Sequence, residues 1–233
     1  MTRRLELLTS LDIEGTRPVI VLPIGSCEQH GPHLPLGTDT LIAEALAARL
    51  CGHLEGLVLG PSLAVAASGE HAGFDGTLSL GTDATARSLV ELTRSADWSG
   101  GIVVVNAHGG NVDALRIAAR TATAEGRRLH TWCPTPLAGD DAHAGRTETS
   151  VMLALHPELV AAERAGPGDV RPITAIAGDL RRGGVRAVSA NGVLGDPTGA
   201  NAEAGGRTLA RWTDQLVTSV AAALAGWAAG RGS

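Results

Sequence analysis

The sequence has no lysine and no tyrosine, one phenylalanine, three cysteines and an aromatic fraction of only 2%. Each scarcity excludes something. Without lysine every fixed positive charge is an arginine, and the formal net charge is −5. No basic stripe runs along the chain and few aromatic side chains could stack on bases, so a nucleic-acid partner is not expected. Cys27, Cys51 and Cys133 are odd in number and widely spaced, which fits neither a disulfide framework nor a paired-cysteine zinc site. They read as small core residues. No apolar run approaches the roughly 18 residues of a membrane span. The segment Leu5-Glu6-Leu7-Leu8 is too short and too polar for the apolar region of a signal peptide. A cytoplasmic protein without a membrane partner is expected.

What is present is glycine, 31 residues of it, and an aliphatic core fraction that brings hydrophobic content to 44% against 18% charged in 233 residues. That is enough chain for a substantial core, read as a single domain over 1–233. Val19-Ile20-Val21-Leu22 and the unbroken β-branched run Gly101 to Asn106 read as strands buried on both faces of a parallel sheet. Gly56 to Pro61 and Arg128 to Cys133 read as two more strands. Helical spacing marks Asp39 to about Leu54, with Asp39 or Thr40 as cap, then Thr82 to Trp98, Val112 to Glu125, Glu148 to Leu155 and Ala202 to Ala229. The interval from about 166 to 206, rich in Gly, Pro and Arg, reads mostly as loop. Strands alternating with helices predict a three-layer α/β/α sandwich with a mainly parallel sheet.

The chemistry concentrates where these strands end. After the first strand, Glu28, His30 and Asp39 fall within twelve positions. Glu28 and His30, two apart in extended chain, can face one ion. His108 ends the strongest strand in a glycine-rich turn. Parallel neighbours bring their carboxyl ends to one sheet edge, so His108 can join the first cluster. Two imidazoles and two carboxylates suit Zn²⁺, Mn²⁺ or Fe²⁺ and not a thiolate site, with Asp39 the candidate bridge between two ions. Hydrogen-bonded loop residues are the plain alternative. A third cluster, His143-Ala144-Gly145 with Glu148, opens a helix that could aim Glu148 inward; a cap or salt bridge is its alternative. Asp140 and Asp141 read as solvated turn residues. Glu70, His71 and Phe74 lie in a long connection without structure of its own, of the kind that often carries function.

Taken in order, Gly25 to Pro35, Thr38-Asp39-Thr40, Asn106 to Asn111 and His143-Ala144-Gly145 with Glu148-Thr149-Ser150 resemble the creatininase (creatinine amidohydrolase) family over nearly the whole chain. The resemblance implies a binuclear centre of divalent metal (Zn, Fe or Mn), hydrolysis of a C–N amide bond and a homo-oligomer, commonly a hexamer. It carries ligand roles onto Glu28, His30, Asp39 and His108, and a proton-transfer role onto His143. One position departs: where creatininase has an acidic ligand two residues after the histidine matching His108, this chain has Gly110. Glu148 is the candidate to fill that gap.

Within the family, Gly69 to Thr77 and Arg181 to Ser189, continuing to Thr198, are most similar to the peptidase branch of mycofactocin systems. That similarity implies removal of a C-terminal Val-Tyr dipeptide from a modified precursor peptide during assembly of a redox cofactor. His143 or Glu148 would then move the proton to the leaving nitrogen. Glu70 and His71 are expected near the substrate, an ordinary surface loop being the alternative, and Arg181 and Arg182 are candidates to grip a peptide carboxylate, with solvated loop arginines as the alternative. Three rivals stand beside this reading: an amidohydrolase acting on creatinine or a formamidopyrimidine nucleotide, a non-enzymatic scaffold that binds no metal, and a nucleotide-binding turn at Gly109-Gly110, which no phosphate-loop pattern accompanies.

Overall fold

The computed structural model describes residues 2–137 and 139–230. Four strands, β1 (Val19–Ile24), β2 (Leu57–Leu59), β3 (Gly101–Asn106) and β4 (Leu129–Trp132), form one sheet in the order β2-β1-β3-β4. Every pairing is parallel, with Ile20 beside Ile102 and Ile24 beside Asn106. Parallel neighbours need crossovers, and three helices supply them: α2 (Thr38–His53) between β1 and β2, α3 (Gly81–Ser95) between β2 and β3, and α4 (Val112–Ala124) between β3 and β4; α1 (Ser10–Ile13) precedes the sheet, and α5 (Arg146–Leu155), α6 (Ile173–Gly183) and α7 (Ala202–Ala229) follow it. This is the three-layer architecture read from the sequence.

The strands' period of two divides the core between the two faces. Ile20, Leu22, Ile24, Ile102 and Val104 pack with Leu89 and Val90 of α3 and Leu115 and Ala118 of α4. Val21, Val103 and Val105 point the other way, toward Ile42, Leu46 and Leu50 of α2 and Leu209, Trp212 and Leu216 of α7. Burying a Leu or Ile side chain contributes about 1.5–3 kcal/mol, so these two clusters hold the sheet rigid beneath the loops at its carboxyl edge. Helix α7 also packs on α5. A Cβ added to Gly205 would lie 1.8 Å from the Ser150 carbonyl oxygen, so only glycine permits this approach.

Some sequence expectations are corrected. The interval 166–206 is not all loop, because α6 occupies Ile173–Gly183. Ile176 and Leu180, four residues apart, pack with Val185, Leu194 and Phe74; the flanking glycines and arginines hid that stripe. The position before α2 is Gly37, with no side-chain cap. Asp39 and Thr40 instead turn inward, Thr40 Oγ1 donating to the Ser26 carbonyl. Asp141 is no solvated turn residue, since it accepts the backbone N–H groups of Arg146 and Thr147 and so caps α5. Asp140 pairs with Arg211 at 3.0 Å. All three cysteines are free and only half-buried.

Candidate metal centre

Beyond β1 the chain enters a loop whose hydrogen bonds bury Glu28 and His30 completely. Asp39 enters on the first turn of α2, and His108 follows the end of β3. The sheet's register alone brings these residues together, since Ile24 and Asn106 are partners. Asp39 stands in the middle. Its Oδ1 is 3.1 Å from His30 Nε2 and its Oδ2 is 3.0 Å from His108 Nδ1. Ser26 Oγ donates to Oδ2 at 2.7 Å. Each oxygen of this carboxylate thus faces a different imidazole.

Each histidine is fixed by a backbone carbonyl. His30 Nδ1 lies 3.1 Å from the Glu28 carbonyl, His108 Nε2 2.8 Å from the Ala67 carbonyl, and His143 Nε2 2.9 Å from the Gln29 carbonyl. A carbonyl only accepts, so in all three rings that nitrogen carries the proton. The other nitrogen is turned inward: Nε2 of His30 and Nδ1 of His108 face Asp39, and Nδ1 of His143 lies 3.9 Å from Glu28 Oε1. Tying one imidazole nitrogen so that the other presents a lone pair is the arrangement metal-binding histidines use.

Glu28 completes the argument. His71 Nε2 and His108 Nε2 each come within 3.2 Å of its oxygens, yet neither oxygen receives an aligned hydrogen bond. A buried carboxylate whose neighbouring N–H groups are misaligned is costly, and a cation is what would satisfy it. Among the described residues, three groups of side chains have ligand atoms close enough to share an ion: Glu28 with Asp39 and His108, His30 with His143 and Glu148, and Glu28 with His71 and His143. The donor set, nitrogen and carboxylate oxygen without sulfur, suits Zn²⁺, Mn²⁺ or Fe²⁺.

Charge is coupled across the cluster. Burial works to lower the pKa of His30, but Asp39 beside it prevails and raises it to about 9. His108, opposed by the same burial, is likewise raised by Asp39, Glu28 and Glu70. Asp39, which burial alone would raise, is held well below the usual carboxylate range by His30 and His108. His143 moves the other way: burial, then His30 and His71, push it well below an ordinary histidine and keep it neutral. Glu148 is raised to about 7, chiefly by burial. Its Oε2 accepts the Ala144 N–H at 2.6 Å. Ala144 has φ 51°, an uncommon left-handed conformation for a residue with a side chain.

Sequence reasoning missed Gln29. Its Oε1 accepts the Gly31 N–H, and its amide nitrogen donates to the Gly192 carbonyl and to His71 Nδ1 at 2.8 Å. His71 must therefore carry its proton on Nε2, which faces Glu28. It belongs to the surroundings of the ligands and not to an outer loop. Gln29's place between Glu28 and His30 was the only signal for it. Glu148 lies with His30 and His143 and does not stand at Gly110, where the sequence suggested it; the carboxylate there is that of Glu70. Arg181 and Arg182 are exposed, and Arg182 pairs with Asp179 at 2.6 Å. The arginine that meets the Gly69–Thr77 connection is Arg186, whose guanidinium lies 4.9 Å from the Phe74 ring centre.

Known proteins similar to this chain share one family. A family model described as creatininase, creatinine amidohydrolase, matches residues 6–220. The mycofactocin precursor peptide peptidase of Mycobacterium ulcerans (strain Agy99) is 49% identical over 222 residues, 91% of this chain and 88% of that protein. The protein of the same name from Mycolicibacterium smegmatis (strain ATCC 700084 / mc(2)155) is 46% identical, covering 87% and 84%. The creatinine amidohydrolase of Pseudomonas putida is 29% identical over 63% of this chain and 67% of that protein. Among solved structures, one described as creatininase Mn superposes with a TM-score of 0.74 at 23% identity, over 94% of this chain and 98% of that one.

Proposed function

The chain belongs to the creatininase (creatinine amidohydrolase) family, and from that premise we propose that it is a single-domain, metal-dependent peptidase. Its substrate in this reading is a modified mycofactocin precursor peptide, from which it removes the C-terminal Val-Tyr dipeptide. The substrate rests on relatives of 46–49% identity that carry the peptidase name, against 29% for the creatinine amidohydrolase. The metal rests on one observation: three imidazoles, each tied to a carbonyl by one nitrogen, turn the other toward buried carboxylates.

Glu28, Asp39 and His108 would hold one divalent ion, Zn, Fe or Mn, and His30 and Glu148 a second, with Asp39 between them. Such an ion lowers the pKa of a water from about 15.7 toward 7 and polarises a scissile carbonyl. The remaining steps fall to the chain. His143, kept neutral with Nε2–H on the Gln29 carbonyl, takes a proton at Nδ1 and returns it to the leaving amine. Gln29 and Gly192 hold that side of the centre. Glu148 is a ligand, and His143 is the acid. Burial of Glu28, His30, Asp39, His108 and His143 excludes bulk water from their charges, while Glu148 is only half-buried. The protein works as a homo-oligomer, a hexamer in this reading.

The test is direct. Incubating the modified precursor peptide with metal-loaded protein should release a dipeptide by mass spectrometry. An unchanged peptide together with turnover of creatinine or a formamidopyrimidine nucleotide would replace this substrate. Purified protein without stoichiometric metal by elemental analysis would favour a scaffold.

A further inference from the structure

Gly110 occupies the turn after His108. A Cβ built there would lie 2.0 Å from Glu70 Oε1, 2.4 Å from His108 Nε2 and 2.6 Å from the Ala67 carbonyl oxygen. Three polar atoms from two parts of the chain, the 67–70 segment and His108, thus converge on the point where a side chain at 110 would begin. No residue but glycine leaves that point open. Glu70 Oε1 reaches it from the single 3-10 turn Gly69–His71, ending 3.4 Å from His108 Nε2.

The chemistry of the three atoms is ordered. His108 Nε2 carries a proton, because the Ala67 carbonyl at 2.8 Å can only accept it. Two carboxylate oxygens flank the same nitrogen without taking its hydrogen bond, Glu28 Oε2 at 3.2 Å and Glu70 Oε1 at 3.4 Å. His108 Nδ1 faces Asp39 Oδ2, so the ring stands between Asp39 on one side and the carboxylates of Glu70 and Glu28 on the other. Glu70 belongs to none of the groups able to share an ion. It is 35% exposed at its side chain, whereas Glu28 and Asp39 are buried. Its place is behind the histidine. The next residue, His71, addresses Glu28, so one short turn steadies two members of the same ligand group.

We infer that Glu70, in the space Gly110 leaves open, is a positioning residue: its carboxylate orients His108 and strengthens Nδ1 as a metal ligand. A carboxylate behind a ligating histidine fixes its tautomer and raises its basicity, and losing one commonly weakens metal binding about 10–100-fold. The inference rests on the metal reading above but not on the substrate.

Zinc affinity decides it. Metal-free wild type, Glu70→Ala and Glu70→Gln are titrated with Zn²⁺ against a chromogenic chelator, and their metal-free melting temperatures are recorded. Glu70→Ala should bind one zinc about 10–100-fold more weakly at an unchanged metal-free melting temperature. Glu70→Gln keeps an acceptor without the charge and should lose part or all of the same factor. Co²⁺-loaded Glu70→Ala should show shifted visible bands, as its histidine is no longer held. Zinc affinities within about threefold of wild type in both variants, outside the range such partners produce, would overturn the inference. So would a loss of zinc affinity matched by a drop in metal-free melting temperature, because Glu70 would then only support the loop. Wild-type protein that binds no zinc would sink the metal reading itself, a separate result.

Discussion

At the amino end of the strands Arg127 pairs with Asp97 at 2.8 Å and Glu125 at 3.2 Å, while Arg17 donates to the Ser99 carbonyl. At the carboxyl end Glu28, Asp39 and His108 meet in the interior, and among the described residues no arginine pairs with them or with Glu70 or Glu148. The same carboxylate chemistry is handled in two ways within one sheet. A guanidinium never gives up its proton in a protein, so the Arg127 pairs are permanent and closed. An imidazole can give up its proton, so the carboxyl-end pairs can open to admit another cation. Exposed pairs hold the surface together weakly; buried imidazole pairs keep a site chargeable. Substituting arginine for histidine at the carboxyl end would preserve charge and end the chemistry.

The contrast can be broken most severely at the ligands. His108→Ala or Glu28→Gln should cut metal-dependent hydrolysis by on the order of a thousandfold or more, as several kcal/mol of metal assistance are lost; steady-state kinetics with peptide substrate would read it. Full activity in metal-depleted His108→Ala protein would refute the mechanism. His143→Ala should retain metal by elemental analysis yet lose about 10²–10⁴ in kcat, the range for one proton-transfer group. Loss of metal together with activity would make His143 a ligand instead.

Weaker effects sharpen the same comparison through stability. His30 is raised to about 9 from 6.5, so its contribution is complete below its unfolded value and vanishes as pH climbs through about 9. Asp39 is depressed, and its contribution is lost only as pH falls below the ordinary carboxylate range. The metal-free protein should therefore melt at a lower temperature at pH 10 than at pH 7 by scanning calorimetry. A flat profile between those values would show that His30 is not paired in solution. Smallest of all, Arg127→Ala should cost about 0.2–1 kcal/mol in urea denaturation and leave zinc affinity untouched, because its pairs lie at the other end of the sheet.

Much of this was legible because strands and ligands share a signal. The aliphatic runs of β1 and β3 mark their ends, and Glu28, His30, Asp39 and His108 sit at or beyond those ends. Topology then collects them. Helix α6 was hidden because Gly178, Gly183 and Gly184 mask a stripe of only two packed residues. Gln29 and His71 were hard to place for a different reason. Their roles depend on which atoms face Gly192 and Glu28 across 163 and 43 positions of chain, and periodicity carries no such information. Glu70's place at Gly110 was equally out of reach, since it is defined by a side chain that is missing.

The close approach of α7 to α5 also sets an order in time. Glu148 is carried on α5, and α5 is seated by Gly205 and by Asn201, whose N–H reaches Ser150 Oγ across 51 residues. A ribosome emits α5 well before the helix that holds it. Glu28, Asp39 and His108 lie on segments made earlier, yet the core beneath them also takes Leu209, Trp212 and Leu216 from α7, so both halves of the cluster wait for the same last helix.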